Sequence, residues 1–152
     1  MNTKAIGVSD EYDFLVLGSG EGAKYLAWTL ARLGKSVAVI ERKYIGGSCP
    51  NIACLPSKNV IHSAKVASYF CRSEEFGIIK DHYRVEMSAV RQRKRKMVDD
   101  LIQAHLDNFK ASGAELILGS GRFVGPRTLE VALAEGLAGI ARAEYHQGPG
   151  LE

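Results

Sequence analysis

Phe14-Leu15-Val16-Leu17-Gly18-Ser19-Gly20-Glu21-Gly22-Ala23 is the stretch that decides the fold. Four apolar residues in unbroken succession predict a strand buried on both faces of a parallel sheet, since a half-exposed strand would alternate. The glycines lead into a helix predicted over about Gly22 to Leu33. There Ala23, Leu26, Ala27, Leu30 and Leu33 recur at helical spacing, and Gly34 is placed as the carboxyl-terminal cap. Ser36-Val37-Ala38-Val39-Ile40 predicts a second strand, with Glu41 at its end. Together these make a βαβ unit, whose crossover is almost always right-handed. Gly18 then permits the tight turn, Gly20 lets the backbone approach a pyrophosphate, and Ala23 fills a position that needs a small residue. Free amides at the helix start favour negative charge. Glu41, 18 residues beyond Ala23, is placed to accept ribose hydroxyls. A glycine turn that binds nothing is the competing reading, and the order of strand, turn, helix, strand and carboxylate argues against it.

Downstream lies Gly46-Gly47-Ser48-Cys49-Pro50-Asn51-Ile52-Ala53-Cys54-Leu55-Pro56-Ser57-Lys58, with four residues between the cysteines. Residues five apart in a regular helix have Cα atoms about 8–9 Å from each other, whereas a disulfide needs about 4.4–6.8 Å. If the pair closes, the segment between is irregular and regular helix starts near Cys54; Pro50, which donates no backbone hydrogen bond, can help. Thiolate is the reactive species, and a helix amino terminus favours it. The alternatives are two structural cysteines or half of a zinc site. Zinc needs further ligands, and the nearest histidine, His62, has no obvious companion, so no metal site is predicted. Cys71, after Tyr69-Phe70, reads as a small buried hydrophobe.

The glycine turn and the Cys-x4-Cys-x-Pro-Ser-Lys segment together resemble the amino-terminal part of the flavoprotein pyridine nucleotide–disulfide oxidoreductases, in particular members like mercuric reductase and dihydrolipoamide dehydrogenase. The resemblance runs from about Tyr12 to about Leu133. It implies an FAD-dependent oxidoreductase passing electrons from NAD(P)H through flavin and the Cys49/Cys54 dithiol to a disulfide or a soft metal ion. On that resemblance Cys49 is the interchange thiol, Cys54 lies against the flavin, and Lys58 approaches the flavin N5 side. Gly18, Gly20, Glu21, Gly22, Ala23, Glu41, Arg42, Gly46, Gly47, Ser48 and Lys58 would contact FAD. Members are homodimers, a state not expected of this stretch alone.

The remaining elements follow from pattern. A helix is predicted over about Pro50 to Phe70, with Val60, Ala64, Ala67 and Phe70 inward, then a loop over 71–85. A long helix follows over about Glu86 to Ala111. Its stripe is Met87, Val90, Met97, Leu101 and Ala104, widened by Val98, Ile102, Leu106 and Phe109, and Ser112-Gly113 ends it. Glu115 to Leu118 is a third strand. Arg122-Phe123-Val124 and Thr128 to Leu133 pair around Gly125-Pro126-Arg127, and Gly119-Ser120-Gly121 reads as a turn. The fold class is α/β, a Rossmann-like three-layer FAD-binding domain, incomplete, with a short β-meander. Residues 1–11 are a flexible arm, 12–133 the partial FAD domain with the dithiol, and 134–152 a disordered tail in which the family pattern stops, through truncation or a shifted frame beyond about Ala134.

A chain of 152 residues with 46% hydrophobic content suits one domain with a real core. A net charge of +3 is too mild to imply nucleic acid or a membrane. The polar amino terminus is not a signal sequence, no apolar run approaches the roughly 20 residues that span a bilayer, and a close cysteine pair suits the reducing cytoplasm. Arg91-Gln92-Arg93-Lys94-Arg95-Lys96 could form a nucleic-acid patch. The competing reading, a solvated helix face with Arg95–Asp99 and Lys96–Asp100 pairs, is favoured because no aromatics interleave. The rival to an active enzyme is a flavin-domain remnant without turnover.

Overall fold

The computed structural model describes residues 10–133 and 140–145, with side chains over 11–133. The chain divides into two compact units, Met1–Gly47 with Ala104–Glu152, and Ser48–Gln103. Helix α4, Met87–Ser112, contributes residues to both.

In the first unit the elements are β1 (Asp10–Tyr12), β2 (Phe14–Leu17), α1 (Glu21–Arg32), β3 (Val37–Glu41), the end of α4, β4 (Glu115–Gly125), β5 (Thr128–Leu133) and β6 (Ile140–Tyr145). The sheet order is β1-β6-β5-β4-β3-β2. β2, β3 and β4 run parallel, with Val16 beside Val39 and Val39 beside Leu116. β5 runs antiparallel to β4 and to β6, and β1 lies parallel to β6.

Alternation along β3 builds both halves of the core. Val37 and Val39 pack with Ala27 and Trp28 of α1, Phe109 of α4 and Ala114. Ala38 and Ile40 pack on the opposite side with Tyr12, Ile117, Leu129 and Val131. Helices, parallel strands and meander therefore form the expected three layers.

Several expectations are corrected. β2 has one neighbour and is only half buried, with Leu17 50% exposed, whereas β3, flanked on both edges, is the strand buried throughout. Leu26 of α1 and its C-cap Leu33 are exposed; Lys24, Ala27 and Trp28 face inward instead. The Lys24 amine reaches the Glu21 carboxylate at 2.6 Å, which satisfies a charge whose stem lies in the core. Gly119-Ser120-Gly121 is no turn, because β4 runs straight through it, leaving β3 for β5. A Cβ at Gly119 would stand 2.6 Å from the Ala132 carbonyl oxygen, so glycine permits the close approach of β4 and β5. Asp10 and Glu11 belong to β1 rather than to an arm. Residues 140–145 form β6 rather than part of a disordered tail. The rest of the arm and the rest of the tail lie outside the described residues.

The second unit holds α2 (Ser48–Asn51), α3 (Cys54–Cys71), a 3-10 turn (Ser73–Phe76) and the first part of α4. Pro56 is the buried residue of α3; beyond it Asn59, Ser63 and Ala67, four apart, are half buried, whereas Val60, Ala64 and Phe70 are exposed. Arg93 of α4 donates to the Asn59 carbonyl and to Ser63 Oγ, both at 2.6 Å. A polar seam thus lies where an apolar stripe was expected to pack, and one member of the basic run, itself exposed, is tied to a helix. Lys96 forms its expected pair with Asp100 at 2.7 Å. Cys71 is exposed at the last position of α3, next to the Tyr83 hydroxyl, and is not the buried hydrophobe predicted. Lys80 donates to the Phe70 and Cys71 carbonyls, satisfying acceptors the helix end leaves open. Among the described residues no helix is long and apolar enough to cross a membrane.

Candidate functional site

Gly18 leaves β2 with φ +89°, a conformation other residues rarely adopt, and donates to the Ile40 carbonyl at 2.7 Å. Gly20 is the N-cap of α1 and carries no capping side chain, so the first amides of the helix are not covered by one. A Cβ on Gly20 or Gly22 would meet nothing within 4 Å, which leaves open space over the turn. The second glycine pair closes onto the first. Gly46 and Gly47 both have positive φ, and a Cβ on Gly47 would stand 2.7 Å from Gly20 Cα.

Ser19 and Glu41 hold these loops together. Glu41 Oε2 accepts from the Ser19 amide at 2.8 Å and the Ser19 hydroxyl at 2.6 Å. Glu41 Oε1 accepts from the amides of Lys43 at 2.7 Å and Tyr44 at 2.9 Å. The Ser19 hydroxyl in turn accepts from the Gly46 amide at 2.9 Å. Burial pushes the Glu41 carboxyl up, but the Ser19 hydroxyl and the three amides more than offset it, and its pKa lies below the ordinary value. Ser19 is fully buried, and sequence reasoning missed its part; a small hydroxyl residue between two loop glycines was the available signal.

Beside this cluster opens a pocket of about 290 Å³. Gly18, Glu41 and Arg42 line one part, and Gly119, Ser120 and Gly121 another. The β4 glycines, expected as a turn, border the predicted ribose carboxylate instead. Of the other predicted contacts, Glu21 is turned to Lys24, and Ala23 is half buried in α1. The helix start offers the kind of amides that hold an anion, and Glu41 is a carboxylate bordering the pocket.

In the second unit, α2 carries Ser48 and Cys49, the chain leaves helical geometry at Ala53 with φ −118° and ψ −96°, and α3 begins at Cys54. Regular helix thus starts at Cys54, as expected from the spacing. Cys49 is half buried and Cys54 exposed at the first residue of an 18-residue helix. Lys58 follows Cys54 by one turn, on the same helix face. No disulfide joins the described cysteines, and no group of three or more His, Cys, Asp or Glu among the described residues could hold a metal ion.

Residues 12–145 match the profile of the family described as pyridine nucleotide-disulphide oxidoreductase, which carries the resemblance past Leu133 and through β6. The dihydrolipoyl dehydrogenase of Mycobacterium leprae is 38% identical over 127 residues, covering 83% of this chain and 27% of that protein. The dihydrolipoyl dehydrogenase of Bacillus subtilis is 33% identical over 119 residues, covering 78% of this chain and 25% of its own length. A solved structure, the Cu(II) complex of the HOCl-induced flavoprotein disulfide reductase RclA from Escherichia coli, superposes with a TM-score of 0.71 at 27% identity, over 90% of this chain and 27% of that one. The chain therefore spans about a quarter of the length of these relatives. A glycine turn with its buried carboxylate and a cysteine pair at a helix start lie inside one matched span, and the chain belongs to the pyridine nucleotide-disulphide oxidoreductase family.

Proposed function

We propose that this chain is the part of an FAD-dependent, NAD(P)H-linked oxidoreductase that holds the cofactor's ADP half and carries the dithiol which reduces a disulfide or soft-metal acceptor. The observation that carries this is the welded loop pair, Gly18-Ser19-Gly20 against Gly46-Gly47, with Glu41 beneath it and the pocket beside it. Its chain neighbour is the Cys49–Cys54 segment. Bound FAD would pass an electron pair between nicotinamide and dithiol.

The residues divide the work. Amides at the start of α1 and in the Gly46-Gly47-Ser48 segment offer donors to phosphate, with Gly22 and Ala23 keeping the approach clear. Glu41 and Arg42 orient the ribose. Cys49, as thiolate, attacks a substrate disulfide, releasing one thiol and forming a mixed disulfide. Cys54 then attacks the Cys49 sulfur, releasing the second thiol and closing the Cys49–Cys54 disulfide, which two electrons and two protons restore. Lys58, one turn on, places a cation near Cys54 and the flavin. The close pair suits a reducing cytoplasm.

A second reading is a flavin-domain remnant without turnover. The two readings agree on binding and differ on catalysis. Reconstitution with FAD followed by visible spectroscopy tests the first. The expected result is a bound flavin whose reduction by a small dithiol adds long-wavelength absorbance, lost in Cys54→Ser. A bound flavin without that band, and without NAD(P)H oxidation, would support the remnant.

A further inference from the structure

Glu41 has no acceptor capacity to spare. A carboxylate offers about four lone-pair sites, and four donors fill them: the Ser19 amide and hydroxyl on Oε2, and the Lys43 and Tyr44 amides on Oε1. Three of the four are backbone amides fixed by the fold. Only the Ser19 hydroxyl can turn, and it already lies 3.3 Å from a second acceptor, the Tyr44 carbonyl. It has one proton, so it donates to Glu41 or to Tyr44. At 2.6 Å from a charged oxygen, the proton lies toward Glu41. Acceptance of the Gly46 amide by the same oxygen is compatible with both orientations.

We propose that Ser19 is a positioning residue that yields to the ligand. When a ribose hydroxyl reaches Glu41, the Ser19 hydroxyl rotates to the Tyr44 carbonyl and vacates one lone pair on Oε2. The inference rests on the dinucleotide reading of this pocket. It adds that the free protein satisfies the buried carboxylate internally, and that ribose binding is an exchange of donors rather than a simple gain.

The exchange replaces a hydrogen bond to a charged oxygen with one to a neutral carbonyl, a difference that corresponds to about fivefold in affinity. Ser19→Ala removes the competitor, while the orphaned Gly46 amide is the same in the free and bound states. Binding is measured by flavin fluorescence for FAD and for its 2′,3′-dideoxyadenosine analogue. The expected result is that Ser19→Ala binds FAD about fivefold more tightly than the unsubstituted chain, with no gain for the analogue. Equal weakening for both ligands would overturn the proposal and leave Ser19 a fold-holding residue. No binding of FAD by the unsubstituted chain would overturn the dinucleotide reading beneath it. A second readout needs no variant: the Ser19 hydroxyl proton, far downfield beside a carboxylate, is expected to move upfield on saturation with FAD but not with the analogue. A proton that stays in place with FAD contradicts the exchange.

Discussion

At Gly47 two constraints coincide. Its φ is +81°, and an added Cβ would lie 2.7 Å from the backbone of Gly20. Gly47→Ala is therefore expected to destabilise the first unit by about 2 kcal/mol or more, combining left-handed strain with overpacking against backbone that cannot give way. A lowered urea midpoint at unchanged slope checks this. Gly22→Ala, where a Cβ meets nothing, is expected to change stability little. At the cysteines, Cys54→Ser should halt exchange after its first step. Treated with a small disulfide, that variant is expected to accumulate the mixed disulfide on Cys49, whereas the unsubstituted chain ends with Cys49 joined to Cys54. Peptide mapping by mass spectrometry reads both, and separates them from adducts on the exposed Cys71. An internal Cys49–Cys71 link would contradict the assigned order of attack.

Among the elements, those whose burial follows from one strong pattern were legible in the sequence. β3, the helix start after Gly20, the break before Cys54 and the stop at Gly113 all sit where residue chemistry alone places them. What was not legible depended on neighbours. Leucine counting turned α1 the wrong way, because the largest buried ring, Trp28, packs edge-on with Phe109 at 5.4 Å from a distant helix. The inward face of α3 is polar, and polar seams leave no hydrophobic period to read. The glycines in β4 resembled a turn because a strand passing between two partners needs the same small residues. Trp28→Ala is expected to remove about 3–5 kcal/mol from the first unit, a loss equilibrium unfolding would show. Arg93→Ala, which gives up two hydrogen bonds on an exposed seam, is expected to lose only about 1 kcal/mol. Faster amide exchange in α3 would accompany it.

At the scale of the whole molecule, two buried groups among the described residues, His105 and Glu41, couple folding to pH on the acid side. His105 is 8% exposed beside Trp28, and burial first, then the nearby Lys24 charge, lower its pKa despite the opposing Glu21 carboxylate. The folded state therefore holds it neutral. As pH falls below its ordinary value of 6.5, the unfolded chain takes up the proton first and stability drops. Glu41 has a lowered folded pKa, so its contribution is complete above 4.5 and is lost as pH falls through the folded value. Stability is expected to be flat near neutrality and to fall in two stages on acidification. His105→Leu should remove the first stage and leave the second, as followed by thermal melts across pH; a variant that keeps both would contradict the assignment.

Binding of the ADP half of FAD at the Gly18–Glu41 cluster is the claim on which the functional reading stands. Equilibrium titration with FAD, followed by competition with ADP and separately with FMN, tests it most directly. FAD binding displaced by ADP and untouched by FMN is the expected result. Absence of FAD binding, or displacement by FMN but not by ADP, would contradict it.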